Sequence, residues 1–184
     1  IRTWRALGLG DLHDLVQAMA IDPAMLDYLD NASNVKASPN ENFARELMEL
    51  FTMGNGTFTE DDVVAMARAW TGHGTIGGGS TYYFRSGQHD YGQKTLFGIT
   101  RNWDGPETIT EIVRGSKQDV CATYLAGRLW SFFAYPNPDP TLLGELAGAL
   151  VAVGMDTHEF LRVLFTRPEF RMAVSYTHLT LPTI

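Results

Sequence analysis

One cysteine, Cys121, stands in the 184 residues, so no disulfide can form within the chain and the redox compartment is left undecided. It lies between Val120 and Ala122 in a helical pattern with no neighbouring His or Lys to activate it, which reads as a small buried residue rather than a nucleophile. No apolar run approaches about 18 residues, so the sequence offers no transmembrane helix. Basic residues are scarce, with 14 Lys and Arg against 21 Asp and Glu. The net charge of −7 and the scatter of the cations argue against a nucleic-acid partner. Ile1 opens the chain without a methionine or a leader pattern. A fragment would have lost its leader, so localisation stays open, and extracytoplasmic placement follows if the missing amino-terminal part carries a signal peptide. No internal repeat is evident. What is present is a 45% hydrophobic chain, long enough for one soluble domain with a core.

The densest signal is Asn40 to Phe51. Ser38 fits an N-cap, Pro39 the first helical position, and Glu41 falls where it can reach back to the Ser38 amide. Phe43, Ala44, Leu47, Met48, Leu50 and Phe51 fill one broad face at helical spacing, while Glu41, Arg45 and Glu49 form an i, i+4 ladder on the other. Asn42 and Glu46 run along the border, and Gly54 ends the element.

Around it the chain alternates caps and short amphipathic stretches. Asp11 precedes a helix over Leu12 to Ala20, and Asp22-Pro23 starts another bearing Met25, Leu26 and Leu29. Thr59 caps a helix with Glu60, Asp61 and Asp62 in its first turn and Val63, Met66, Ala67 and Trp70 on its apolar side. An EF-hand register anchored on Gly56 would place Phe51 and Met53 at oxygen-ligand positions, which excludes that reading of the acids. The triplets at Asn31 and Asn55 match a glycosylation acceptor but are common by chance. Gly72 to Gly79 reads as a surface loop, since a phosphate cradle needs a strand before it and a helix after it. Thr81 to Arg85 and Thr95 to Phe97 read as strands paired across Gly87 to Gln93.

Further on, Asp104 with Glu107 starts a helix bearing Ile109, Ile112 and Val113, and Ser116 and Asp119 start one with Tyr124, Leu125, Leu129, Phe132 and Phe133 on its face. Trp130 reads as packing and Arg128 as the partner of a carboxylate. The Pro136 to Pro140 run reads as a rigid turn, Thr141 begins a helix closed by Gly154, and Asp156 begins one with Phe160, Leu161, Leu164 and Phe165. The fold class expected is mainly α, a multi-helix domain with a small two-stranded β-hairpin insert.

PNENFARELMELFTMG, the acidic start TEDDV, Trp70-Thr71-Gly72 and HDYGQKTLFG from His89 to Gly98 occur in this order. NWDG at Asn102, LAGRLWSFF from Leu125 and TRPEF from Thr166 follow. Together they resemble domain-of-unknown-function family 1800, an uncharacterised bacterial family, over nearly the whole chain to Arg171. The resemblance supplies no reaction. It implies a longer parent, with helical sequence before and after this stretch, and His73 departs from the large apolar residue it leads one to expect. Residues 1–174 are expected to be one domain fragment. Residues 175–184, from Ser175 to Ile184, resemble the adaptor-like peptide at the ends of truncated metagenomic gene predictions, and that tail, His178 included, is expected to be non-native.

Two function classes follow. The favoured one is a non-catalytic helical assembly or interaction module, with a protein partner or the remainder of its own chain. The alternative is a hydrolase-like enzyme in which Glu46, His89 and Asp90 are catalytic and Asn42, Arg45 and Lys94 bind ligand. Arg85 adds a second cation for an anionic group. No metal ligands are assigned, although a divalent metal is the cofactor that chemistry admits. That alternative expects Glu46 and His89 to line one depression, with Arg45 or Lys94 at its rim.

Overall fold

A computed structural model describes residues 2–77 and 79–172; the expected tail at 175–184 lies outside them. The fold is mainly α-helical with two small antiparallel hairpins. In chain order the helices are α1 (Arg2–Leu7), α2 (Leu12–Ala20), α3 (Pro23–Tyr28), α4 (Asn42–Glu46) and α5 (Glu60–Ala69). After the hairpins come α6 (Gly105–Arg114), α7 (Gln118–Phe133), α8 (Pro140–Ala152) and α9 (Thr157–Thr166). Several starts are set by the expected caps. Asp11 Oδ1 accepts from the His13 amide, Asp22 Oδ1 from Ala24, and Asp156 Oδ1 from Glu159, while Thr59 and Asp62 form a capping box.

The core runs through α5, whose Val63, Met66, Ala67 and Trp70 are buried as the periodicity predicts. Phe43 from α4 packs at a tilt against Trp70, and Ile109, Ile112 and Val113 of α6 join the same core. Around Pro136 to Pro140 the chain turns back so that α7 packs along α8, which fits a rigid turn rather than a linker. The starts of α2 and α9 are tied to each other: the Leu12 amide donates to Met155 O at 3.0 Å and the Thr157 amide to Gly10 O at 2.9 Å.

The signature stretch departs from expectation at both ends. Ser38 forms an isolated bridge with Val35, and the helix begins only at Asn42, whose amide donates to Asn40 Oδ1 at 3.0 Å. Glu41 pairs with Arg45 instead of reaching back. Leu47–Thr52 then winds as a π-helix, with the Met53 amide donating to Met48 O and Thr52 Oγ1 to Leu47 O. The wider turn rotates the face: Thr52 and Met53 go inside, whereas Leu50 and Phe51 are left 55% and 40% exposed.

The strands also pair differently. β1 (His73–Ile76) pairs with β2 (Thr81–Phe84), and β3 (Lys94–Leu96) with β4 (Ile99–Arg101). Thr81 to Phe84 therefore joins part of the expected glycine loop, not Thr95 to Phe97. Local closure wins because Phe97 (φ 52°) and Gly98 (φ 80°) make a two-residue turn with both residues left-handed. The Phe97 amide is held there by Asp62 Oδ1 at 2.6 Å. On α7 the inward face is Cys121, Ala122, Ala126 and Trp130, so Phe132 and Phe133 point outward. Ser116 does not cap α7; its amide donates to Glu111, and Asp139 rather than Thr141 caps α8.

Candidate functional site

Trp70, Thr71 and Gly72 leave α5 and seat the segment carrying His89. Thr71 Oγ1 donates to Arg68 O and accepts from the Asp90 amide at 2.8 Å. Gly72 (φ +83°) donates to Asn34 O and accepts from the Arg85 amide, and a Cβ there would lie 2.7 Å from Arg85 O. The two segments thus close on each other through backbone contacts that only a glycine allows. His89 is buried beneath this turn, ringed by Phe84 and Tyr91. Its Nδ1 is 2.8 Å from Thr71 O. A carbonyl only accepts, so Nδ1 carries the proton, and in the neutral ring Nε2 has the lone pair.

His73, at the start of β1, is buried beside it against Trp70 and Phe84. Its Nδ1 is 2.9 Å from the Tyr82 hydroxyl and its Nε2 is 3.3 Å from Asp104 Oδ1. Asp104 caps α6, and its Oδ1 also accepts from the Gly105 amide at 2.7 Å. The His73 hydrogen bond holds the Asp104 carboxyl below its ordinary range; burial opposes this, and the Gly105 amide assists it. A ring nitrogen of His73, one of His89 and a carboxylate oxygen of Asp104 all lie within 4.8 Å of one another. These three residues can hold a cation. A second group, Asp11, His13 and Asp14, is more exposed, with Asp11 already capping α2 and paired with Arg114.

The anticipated site residues have other engagements. Asp90 Oδ2 accepts from Arg68 Nε at 2.7 Å and Oδ1 from the Gly92 amide at 2.8 Å. Burial raises its pKa, but those donors together bring it below the usual carboxylate value, which fits an anion paired with Arg68. Lys94 is not at a rim. It is 1% exposed, and its ammonium donates to the carbonyls of Asp90, Gly92 and Trp103 and to Asn102 Oδ1. Burial lowers its pKa. Arg45 forks onto Glu60 at 2.9 and 2.6 Å and also meets Glu41, joining α4 to the start of α5. The side chains of Glu46 and Asn42 make no hydrogen bond or ion pair among the described residues, and neither Glu46 nor His89 lines the cleft described next. Arg85 Nη2 donates to Ala32 O, and Arg128 is exposed with no carboxylate partner among the described residues.

An apolar cleft lies elsewhere. Leu12 and Val16 of α2, Leu47 and Phe51 of the signature stretch, and Leu125 and Phe132 of α7 line an apolar cleft of about 1560 Å³. Trp4 of α1 stands at its edge, 56% exposed.

Of this group of three the sequence singles out His89; His73 reads as part of a glycine loop and Asp104 as a helix cap. The one available signal was His73 standing where an apolar residue was expected.

Fold and site together define a mainly α-helical domain with a buried histidine pair beside a helix-capping carboxylate, and a separate apolar cleft. The chain belongs to the family described as protein of unknown function (DUF1800), whose model matches residues 2–183. No curated protein and no solved structure matches it. Among the described residues no helix is long and apolar enough to cross a membrane.

Proposed function

We propose that this chain is a non-catalytic helical module that docks an amphipathic helix in the cleft between α2, the signature stretch and α7. The observation that carries the reading is the set of large apolar rings left outside the core around one cleft: Trp4, Phe51 and Phe132, the last 80% exposed. Contiguous exposed apolar surface of this kind marks an interaction site. A cleft of about 1560 Å³ exceeds the roughly 300–1,000 Å³ of a small-molecule pocket, and helix-borne walls suit the apolar stripe of another helix. The net charge of −7 favours an occupant with a basic polar face.

The polar signature residues serve the scaffold in this reading. Asn34 donates to Asn31 Oδ1 and to Ala67 O, Thr71 holds His89 and Asp90, and Lys94 gathers three carbonyls. The test is binding of an amphipathic Leu–Lys peptide of about 18 residues, long enough to be helical, against a scrambled peptide of the same composition, by fluorescence anisotropy. The reading predicts selective binding of the amphipathic peptide, weakened at least about tenfold by Phe51→Glu or Phe132→Asp, the scale of one lost apolar anchor. Equal binding of both peptides, or of neither, would contradict it.

A further inference from the structure

We infer that His73, His89 and Asp104 form a binding site for one divalent metal ion of the zinc class, independent of the cleft. Two imidazoles and a carboxylate are a donor set for borderline cations such as Zn²⁺, not for Mg²⁺ or Ca²⁺, which prefer all-oxygen shells. All three ligand atoms already lie within 4.8 Å of one another.

The spacing of His73 and Asp104 suits an ion better than a proton. At 3.3 Å, Nε2 to Oδ1 is a loose hydrogen bond. Two ligands about 2.0–2.1 Å from a tetrahedral ion stand roughly 3.3 Å apart, so an ion can replace the shared proton with almost no movement of this pair.

The outer partners point the same way. A ligating imidazole normally gives its second N–H to a carbonyl, carboxylate or similar acceptor, which fixes the ring and its tautomer. His89 Nδ1 donates to Thr71 O at 2.8 Å, which leaves Nε2 with its lone pair and no hydrogen-bond partner among the described residues. His73 Nε2–H donates to Asp104 as the site stands; when an ion replaces that proton, Nδ1 can take the proton and donate to the Tyr82 hydroxyl oxygen at 2.9 Å, which turns the Nε2 lone pair to the ion. Both histidines are 3% exposed, whereas the Asp104 side chain is half exposed. The ion would enter from the Asp104 side. Three protein ligands leave one position open there for water or a small anion.

The test is calorimetric titration of chelator-treated protein with Zn²⁺ alone, repeated with Co²⁺ while its visible spectrum is followed. One equivalent should bind, and Co²⁺ should show four-coordinate bands. Affinity should fall on acidification, because the ligands bind the ion only when deprotonated. Asp104→Asn keeps a good helix cap and removes the carboxylate, so it should fold and bind at least about tenfold more weakly. His73→Phe should abolish the cobalt bands. His13→Ala, in the more exposed acidic group, should change nothing. Absence of stoichiometric binding overturns the assignment. So does binding that survives both Asp104→Asn and His73→Phe, or that is lost on His13→Ala.

Discussion

Tyr124 donates its phenolic hydrogen to the Leu50 carbonyl across 3.0 Å, joining α7 to the π-helical end of the signature stretch. The same ring covers Gly54, where a Cβ would lie 2.6 Å from Tyr124 Cδ2. Gly54 and Gly56 share φ +81°, but Gly56 has nothing within 4 Å of its Cβ position. Both alanine variants incur left-handed strain, about 1–2 kcal/mol. Gly54→Ala should cost about 1–3 kcal/mol beyond that, because the ring must shift. Urea unfolding of the two variants reads the difference.

Leu47 and Leu50 sit three residues apart on what looks like one helical face, yet Leu47 is 4% exposed and Leu50 55%. Leu47→Ala should lose about 2–5 kcal/mol through a cavity beside Phe43 and Met48. Leu50→Ala should lose less than about 1 kcal/mol. Glu41→Ala should change stability very little, since its pair with Arg45 is solvent-exposed. A large loss at Leu50, seen in equilibrium denaturation, would mean that the stretch winds as an ordinary α-helix.

Asp62 gives the acid limb of the stability curve a definite sign. Burial alone would raise its pKa, but the amides of Thr59 and Phe97 and the Thr59 hydroxyl outweigh it and bring the group below 3.8. The folded form therefore binds this proton more weakly than the unfolded chain does. Its stabilisation is complete above about pH 4 and is lost as pH falls through the depressed value. Asp62→Asn should cost about 1–2 kcal/mol at neutral pH. It should also flatten the fall of urea midpoints below about pH 4. Asp90 and Asp104, lowered likewise, keep part of that slope.

The buried Lys94 ammonium shares its three hydrogens among the Asp90, Gly92 and Trp103 carbonyls and, at 3.3 Å, Asn102 Oδ1, so Lys94→Met would remove the donor these oxygens share, Trp103 O being buried. A loss of about 3 kcal/mol or more is expected. Thermal unfolding checks it, and an unchanged melting temperature would contradict the clamp.

Helix positions were legible wherever a side chain caps its own turn, as with Asp11, Asp22, Thr59 and Asp156, because that chemistry is local. The buried faces of α5 and α6 followed from spacing for the same reason. The π-helical winding was not legible, because Leu47 to Thr52 has ordinary α-helical spacing and only the hydrogen bond from the Met53 amide to Met48 O shows the wider turn. The hairpins were mispaired because Phe97 looks like a strand residue until Asp62 is seen to hold its amide in a left-handed turn. At the candidate site His89 was visible. Its neighbours His73 and Asp104 come from a strand and a cap separated from it by 16 and 15 residues, and only the closed backbone brings them together.

Hydrogen–deuterium exchange, with and without the Leu–Lys peptide, tests the docking reading most directly. Amides of Leu47 to Gly54 and of Tyr124 to Phe133 should exchange more slowly in the complex, while those of His73 to His89 stay unchanged. Protection over His73 to His89 with none over Leu47 to Gly54, or no localised protection at saturating peptide, would contradict it.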